Sequence, residues 1–283
     1  MFRKGQRVRH PTQPDWGLGE VLEDSAEEST RVFFVGVGEK AISAKYVSLV
    51  AVKREEASDP ILDNLHLSQA PGIKYQSLPK SIQYFLERFP QGFYGENYLE
   101  QERNYKVAAH ELAVATLNKD ALTALCASGS YGEVCVRSLK LVNATNLIFP
   151  NEKMALKDGL GDDDAKQRFS ESLLNVLYGI DEEAQRFDQF AGVLERIGAG
   201  KWTTASYFPF LVHPQRHMFV KPTITQNAAA VSHFNIDYRP TVTWRTYSRI
   251  LAFSEHLRTA LVELKPRDMI DVQSFMWCIA PHK

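Results

Sequence analysis

Three features of this sequence have residue types suited to chemistry. Asp268 opens a helical pattern and Asp271 follows one turn later, so the two carboxylates fall on one helix face with Phe275. Either carboxylate is a candidate general acid or base, and the same pair would also serve as a helix N-cap and a buried hydrogen-bond acceptor. Lys221 stands before Pro222, directly after the apolar run Met218-Phe219-Val220. An amine partly withdrawn from water gives up its proton more readily and becomes a nucleophile. The third feature is the break Gly198-Ala199-Gly200, followed by Lys201, after a helical run of Phe187, Phe190, Ala191, Leu194 and Ile197. Glycine permits positive φ and close backbone approach. The free N–H groups of the next helix, with the charge of Lys201, suit a phosphate. An ordinary C-cap glycine accounts for the same break.

Polar residues interleave with apolar ones just downstream. His213, Gln215, Arg216 and His217 alternate with Phe208-Pro209-Phe210-Leu211 and Met218-Phe219-Val220. Such groups need partners; they either line a pocket mouth or make satisfied structural contacts. His110-Glu111 has no second histidine four residues on, so the zinc-protease pattern is absent. Asp162-Asp163-Asp164 lacks the alternating ligands of a calcium loop and reads as a solvated turn. Cys126, Cys135 and Cys278 are odd in number and form no C-x-x-C pair, which argues against a disulfide framework or a four-cysteine cluster. No metal and no cofactor is expected.

The elements that must position these residues follow from periodicity. Residues 1–53 alternate short β-type runs with turn glycines, and strands are expected around Arg7–Arg9, Leu18–Glu23, Arg31–Val35, Glu39–Ser43 and Val47–Val52. This predicts a compact SH3-like barrel. Trp16, Phe33 and Phe34 would form an aromatic patch, and Arg3, Lys4, Arg7 and Arg9 a basic strip that neutralises phosphate; alternatively Phe33 or Phe34 is core and the arginines are solvated. Residues 54–76 mix charge, Pro60, Pro71 and Gly72 without period and read as a linker. From residue 77 to 283 the pattern is helical with hardly any strand signal, which excludes a doubly wound nucleotide fold. The chain has 283 residues and a formal charge of −1, so any affinity for nucleic acid must come from a local basic face. With no apolar run of eighteen residues and no signal-like N-terminus, the sequence predicts a cytoplasmic protein without membrane association.

Two resemblances sharpen this reading. The pattern G-x-x-V-x-H-P, W-G-x-G-x-V, V-x-F and G-E-K within residues 5–40 resembles the Tudor-like domain at the C-terminus of some bacterial superfamily-1 helicases. It implies attachment to nucleic acid, or to RNA polymerase or a helicase, without catalysis. The segment Ile197-Gly198-Ala199-Gly200-Lys201-Trp202-Thr203-Thr204-Ala205 resembles the hairpin of helix-hairpin-helix DNA glycosylases, with one extra residue before Thr204-Ala205. Those enzymes carry a catalytic aspartate about twenty residues later, where this chain has Gln215.

The resemblance implies an α+β multidomain protein, a small Tudor-like β-barrel followed by a mostly α-helical glycosylase-like domain, that binds DNA, flips a base and excises it. Some free-standing bacterial glycosylases excise modified cytosines in anti-phage defence, and this chain is similar in lacking a helicase motor. On this reading Gly198, Gly200, Lys201 and Arg216, with Arg7 and Arg9 of the barrel, contact DNA. Asp271 or Asp268 takes the place of the missing aspartate, and Lys221 is nucleophile or backbone contact. Tyr207, Phe219, Trp244, Tyr247 and Trp277 wall the pocket for the extruded base. Two alternatives stand beside it: a nuclease in which Asp268, Asp271 and another acid hold magnesium, and a non-enzymatic adaptor acting through the barrel.

Overall fold

In the computed structural model the described residues are 1–26, 28–67 and 74–281. The protein is α+β and divides into two compact units: residues 1–88 with 227–235, and residues 89–226 with 236 onward.

The first unit is built on a five-stranded antiparallel sheet: β1 (Arg7–Arg9), β2 (Leu18–Val21), β3 (Ser29–Phe34), β4 (Gly38–Ser43) and β5 (Val50–Ala51), in the order β4-β3-β2-β1-β5. Strands β1 to β4 form a meander in which β3 and β4 pair from Ser29↔Ser43 to Phe34↔Gly38, and β5 returns to pair with β1. That order is consistent with a Tudor- or SH3-like domain. Gly38, at a φ of +73°, sets the tight turn into β4, and Gly19 lies inside β2, where a Cβ would meet the Phe34 ring at 2.6 Å.

Alternation along β3 sends Phe33 and Phe34 to opposite faces, and both faces are buried. Phe34 packs with Val8, Val21, Val32 and Ile42, and Phe33 with Leu18 and Leu62. These two rings are therefore core, and of the expected aromatic patch only Trp16 reaches the surface in part, held edge-on against Phe34. What covers the second face is the segment expected to be a linker. It carries a short helix α1 (Pro60–Asp63), N-capped by Asp59, whose carboxylate accepts from the N–H groups of Ile61 and Leu62. Tyr75 then lays its ring on Phe33 and donates its hydroxyl to the Val35 carbonyl. The segment is folded onto the sheet, and residues 68–73 lie outside the described ones. Helix α2 (Leu78–Arg88) follows.

The second unit is helical. Its elements are α3 (Glu96–Tyr98), a π turn at Leu99–Arg103, α4 (Asn104–Thr116), α5 (Lys119–Ala127), α6 (Tyr131–Asn143), α7 (Pro150–Gly159), α8 (Asp163–Tyr178), α9 (Glu183–Arg196) and α10 (Trp202–Val212). Helix α11 (Pro222–Val231) starts in this unit and ends among the residues assigned to the first, and α12 (Trp244–Ala260) and α13 (Met269–Ile279) follow. Every residue of α10 is buried, the hydroxyls of Thr203, Thr204 and Ser206 being hydrogen-bonded among its apolar residues, and α10 packs on α4, α8 and α9. The acidic stretch before α8 has a local use: Asp162 caps the helix through the Ala165 N–H, while Asp163 and Asp164 pair with Lys166 and Arg168. No helix among the described residues is long and apolar enough to cross a membrane.

Candidate functional site

A cavity of about 190 Å³ opens in the helical unit, lined by Gln101, Glu102, Tyr105, Lys106, Asn146, Leu147, Lys221, Gln273 and Trp277. Four separate stretches of chain supply these residues: the π turn with α4, the loop between α6 and α7, the residue before α11, and α13.

The π turn is what makes the wall. Asn104 donates its N–H to the Leu99 carbonyl, five residues back rather than four, which inserts one residue into the helical course. In an α-helix adjacent residues diverge by roughly 100°. Here consecutive side chains both turn inward, Glu102 at 9% exposure and the Arg103 side chain at 11%. Glu102 faces the cavity and accepts from Lys106 Nζ at 3.2 Å. Lys106 is 1% exposed and donates a second hydrogen bond to Ser274 Oγ at 2.9 Å. Burial pushes the Lys106 ammonium down to about 8, against the opposing charges of Glu102 and Asp271. The cavity thus holds a buried amine that exchanges its proton close to neutrality, beside a carboxylate.

Lys221 is held by rings. Its Nζ lies 4.7 Å from the centroid of Phe149 and 5.2 Å from that of Trp277, so the ammonium sits against two aromatic faces at the cavity rim. Phe149 is fixed in turn, because its N–H donates to Glu152 and Glu152 accepts from Thr203 in the first turn of α10. This caps α7 through Glu152. It also ties the start of α10 to the rim.

Asp268 and Asp271 do not line the cavity, and both are consumed by arginines. Asp268 is the N-cap of α13, accepting from the N–H groups of Ile270 and Asp271, and it pairs with Arg103 at 2.7 Å. Asp271 is fully buried and takes Arg103 at 2.8 Å, Arg267 at 2.9 Å and the Tyr98 hydroxyl at 2.7 Å. Burial opposes the charge on Arg103, but its bonds to these carboxylates win and raise its affinity for the proton; burial and then the Asp271 charge likewise hold the Tyr98 phenol protonated. The carboxylate on the cavity wall is Glu102. Lys106, Gln273, Tyr105 and Asn146 were missed as site residues. The available signal was the i, i+4 spacing of Glu102 and Lys106 beside the apolar stripe Tyr98, Tyr105, Ala109.

The expected aromatic walls divide. Trp277 lines the cavity. Tyr207 is buried in the core, donating to the Leu141 carbonyl and meeting Thr145 Oγ1 at 2.8 Å, and Phe219 packs against Tyr207 and Phe210. Trp244 and Tyr247 join a different stack, with Tyr247 parallel to Phe187 at 4.3 Å and to His217 at 6.1 Å. His217 is neutral there, pushed down to about 3 by burial and next by Arg216. His213 meets the Leu177 carbonyl at 2.9 Å. Both histidines make structural contacts.

The glycine break is a turn between α9 and α10. Gly198, at φ +75°, donates to the Glu195 carbonyl and Ala199 to that of Leu194, the two bonds of a Schellman ending. Thr204 Oγ1 closes the corner on the Ala199 carbonyl at 2.7 Å. Gly200 has a different reason to be glycine, since a Cβ would fall 2.8 Å from the Glu195 Cα and within 2.0 Å of its carboxylate. An anion at this corner must therefore approach from the open Gly198 side, away from Glu195. Lys201 and Arg216 are exposed, as is Arg9. Arg7 is not available as proposed, because it pairs with Glu20 and with Asp63 at 2.8 Å. Among the described residues no group of three histidine, cysteine or acidic side chains is arranged to hold a metal ion.

Comparison with known proteins gives one match. Residues 2–52 match a family described as "Protein of unknown function (DUF3553)", which spans the five-stranded sheet and none of the helical unit. The chain matches no curated protein and no solved structure.

Proposed function

We propose that the helical unit is a DNA glycosylase, possessing a base pocket at the cavity between α4 and α13, and that the N-terminal sheet is a Tudor-like attachment domain. The observation that carries this reading is the meeting, on one cavity, of an aromatic face (Trp277), a carboxylate (Glu102) and a lysine whose proton is loosened to about 8 (Lys106). Cleaving a base–sugar bond needs a surface for the swung-out base, a negative group for the developing cation, and an acid for the departing base.

The residues divide this work. Trp277 stacks on the base. The bond between the sugar carbon and the base nitrogen breaks with its electron pair going to the base, which takes a proton from Lys106 Nζ. The Glu102 carboxylate stabilises the sugar cation and removes a proton from the water that attacks it. That proton returns to Lys106 along the 3.2 Å hydrogen bond, which restores both groups. Lys221 contributes a positive charge at the rim for the DNA backbone. Lys201 and Arg216 extend that charge, and Arg3, Lys4 and Arg9 offer phosphate contacts on the sheet unit.

The test is incubation of the purified protein with ordinary DNA and with DNA carrying modified cytosines, in EDTA. Free base and alkali-labile sites are expected with chelator present, and their absence from every substrate ends the reading. Strand breaks that need magnesium would instead support the nuclease alternative. Asp268 and Asp271 offer that alternative little, since both are neutralised by arginine.

A further inference from the structure

One side chain lining the cavity carries a polar atom that the described residues leave unanswered. Oε1 of Gln273 is buried and has no hydrogen-bond partner among the described residues, although Gln273 lines the cavity and is only 5% exposed. A buried acceptor without a donor destabilises the folded chain, and such an atom at a cavity wall marks the place where a ligand supplies the donor. Lys106 has the complementary need. Its ammonium carries three N–H groups; Glu102 and Ser274 accept two of them, and no third acceptor stands among the described residues. One turn beyond Gln273 on α13, Trp277 presents the ring on which a flat ligand would lie.

We propose that Gln273 and Lys106 read the edge of the bound base: Gln273 Oε1 accepts an N–H and Lys106 Nζ donates to a carbonyl oxygen. The substrate class is then a base carrying both groups, of the cytosine, uracil or guanine type, and adenine, which has no carbonyl oxygen, is rejected. Cytosines modified at the 5-position keep both groups. The assignment rests on the base-pocket reading above and gives Gln273 the role of specificity residue.

Calorimetric titration of the full-length protein with free bases tests it without requiring chemistry. Cytosine and uracil are expected to bind at least tenfold more tightly than adenine and than 1,3-dimethyluracil, a pyrimidine with no N–H donor. Gln273→Leu should bring uracil and 1,3-dimethyluracil within about twofold of each other, whereas Gln273→Glu, which keeps an acceptor, should retain the preference. Thermal unfolding checks that both variants fold; if the leucine variant does not, the wild-type series and the glutamate variant decide. Equal binding of adenine or 1,3-dimethyluracil, or no binding of any base, overturns the proposal. The two readings separate cleanly. Discrimination among free bases without release from any DNA keeps the edge-reading and ends the excision reading, while release with unchanged base preference in Gln273→Leu does the reverse.

Discussion

Two ionic clusters lie side by side in the helical unit, and consecutive residues of one π turn feed them. Arg103 goes to the first, where Asp268, Asp271, Arg267 and the Tyr98 hydroxyl satisfy one another through side-chain contacts of 2.7–3.1 Å. Glu102 goes to the second, where it and Lys106 share a 3.2 Å bond beside a cavity that Gln273 also lines, its Oε1 without a partner among the described residues. The first cluster is closed and the second is open. A closed network fixes the fold, while an open one retains capacity for a ligand, and residue type alone does not distinguish them: acids and bases occur in both.

The largest expected effect breaks the closed cluster. Asp271→Ala leaves Arg103 and Arg267 facing a void at a fully buried position, and should cost about 3–5 kcal/mol of stability by urea unfolding. Loss of base release in that variant would follow from unfolding and would say nothing of chemistry. An Asp271→Ala protein with wild-type stability but no activity would reverse the assignment and return the catalytic role to Asp271.

Substitution in the open cluster should do the opposite. Lys106→Met keeps the length of the stem and removes a charge that burial disfavours, but leaves Glu102 without its partner, so stability is expected to change by no more than about 1 kcal/mol. Base release should nevertheless fall by roughly 100-fold or more, the usual range for loss of a general acid. Glu102→Gln should lose a comparable factor in rate. Loss of rate at nearly unchanged stability is the signature of a functional group; a loss of stability as large as that of Asp271→Ala would place Lys106 with Asp271 as structure.

The two clusters also explain what could be read from the sequence. The sheet was legible because its turns are chemically marked and each strand is defined by near neighbours. The corner at Gly198 was legible for the same reason. The π turn was not, because Leu99–Arg103 has no composition that separates it from the α-helix on either side, and the extra residue shows only in the Asn104 to Leu99 hydrogen bond. The cavity combines residues from 101 to 277, so its membership depends on packing among four segments. Lys106 in particular reads as half of an i, i+4 surface pair until its burial is known. Asp268 and Asp271 were visible as a pair, but their partner Arg103 is more than 160 residues away in the chain. The packing of Leu62 and Tyr75, from the 54–76 stretch read as a linker, on Phe33 was not legible because these contacts are likewise distant in sequence.

The pH dependence of stability provides a third separation. The Lys106 amine ordinarily titrates near 10.5 and is lowered to about 8 in the folded chain, so between these values the unfolded chain binds more protons. Stability must therefore rise with pH through that window. The cost of burying the charge is fully present below pH 8 and is relieved between about 8 and 10.5, by at most about 3 kcal/mol. Measured from pH 7 to 10, the urea midpoint of wild type should rise relative to that of Lys106→Met. Parallel profiles would show that Lys106 keeps its proton and cannot exchange it with Glu102.

The smallest effect concerns Lys221, whose place at the rim lets the two lysines be told apart. Its charge lies against Phe149 and Trp277, an arrangement worth about 0.5–1 kcal/mol at an accessible site. Lys221→Met keeps the apolar stem on both rings and removes only the charge. DNA affinity should drop several-fold and its salt dependence should flatten by about one released counterion, with the single-turnover rate at saturating DNA unchanged. Lys221→Arg should restore the affinity, because a guanidinium also lies well on an aromatic face. A nucleophile would behave otherwise. If Lys221 attacked the sugar, Lys221→Arg would be as inactive as Lys221→Met, and borohydride would trap a covalent adduct with DNA that both variants lose. That result would move the amine chemistry from the buried lysine to the one at the rim, and leave Lys106 to position Glu102.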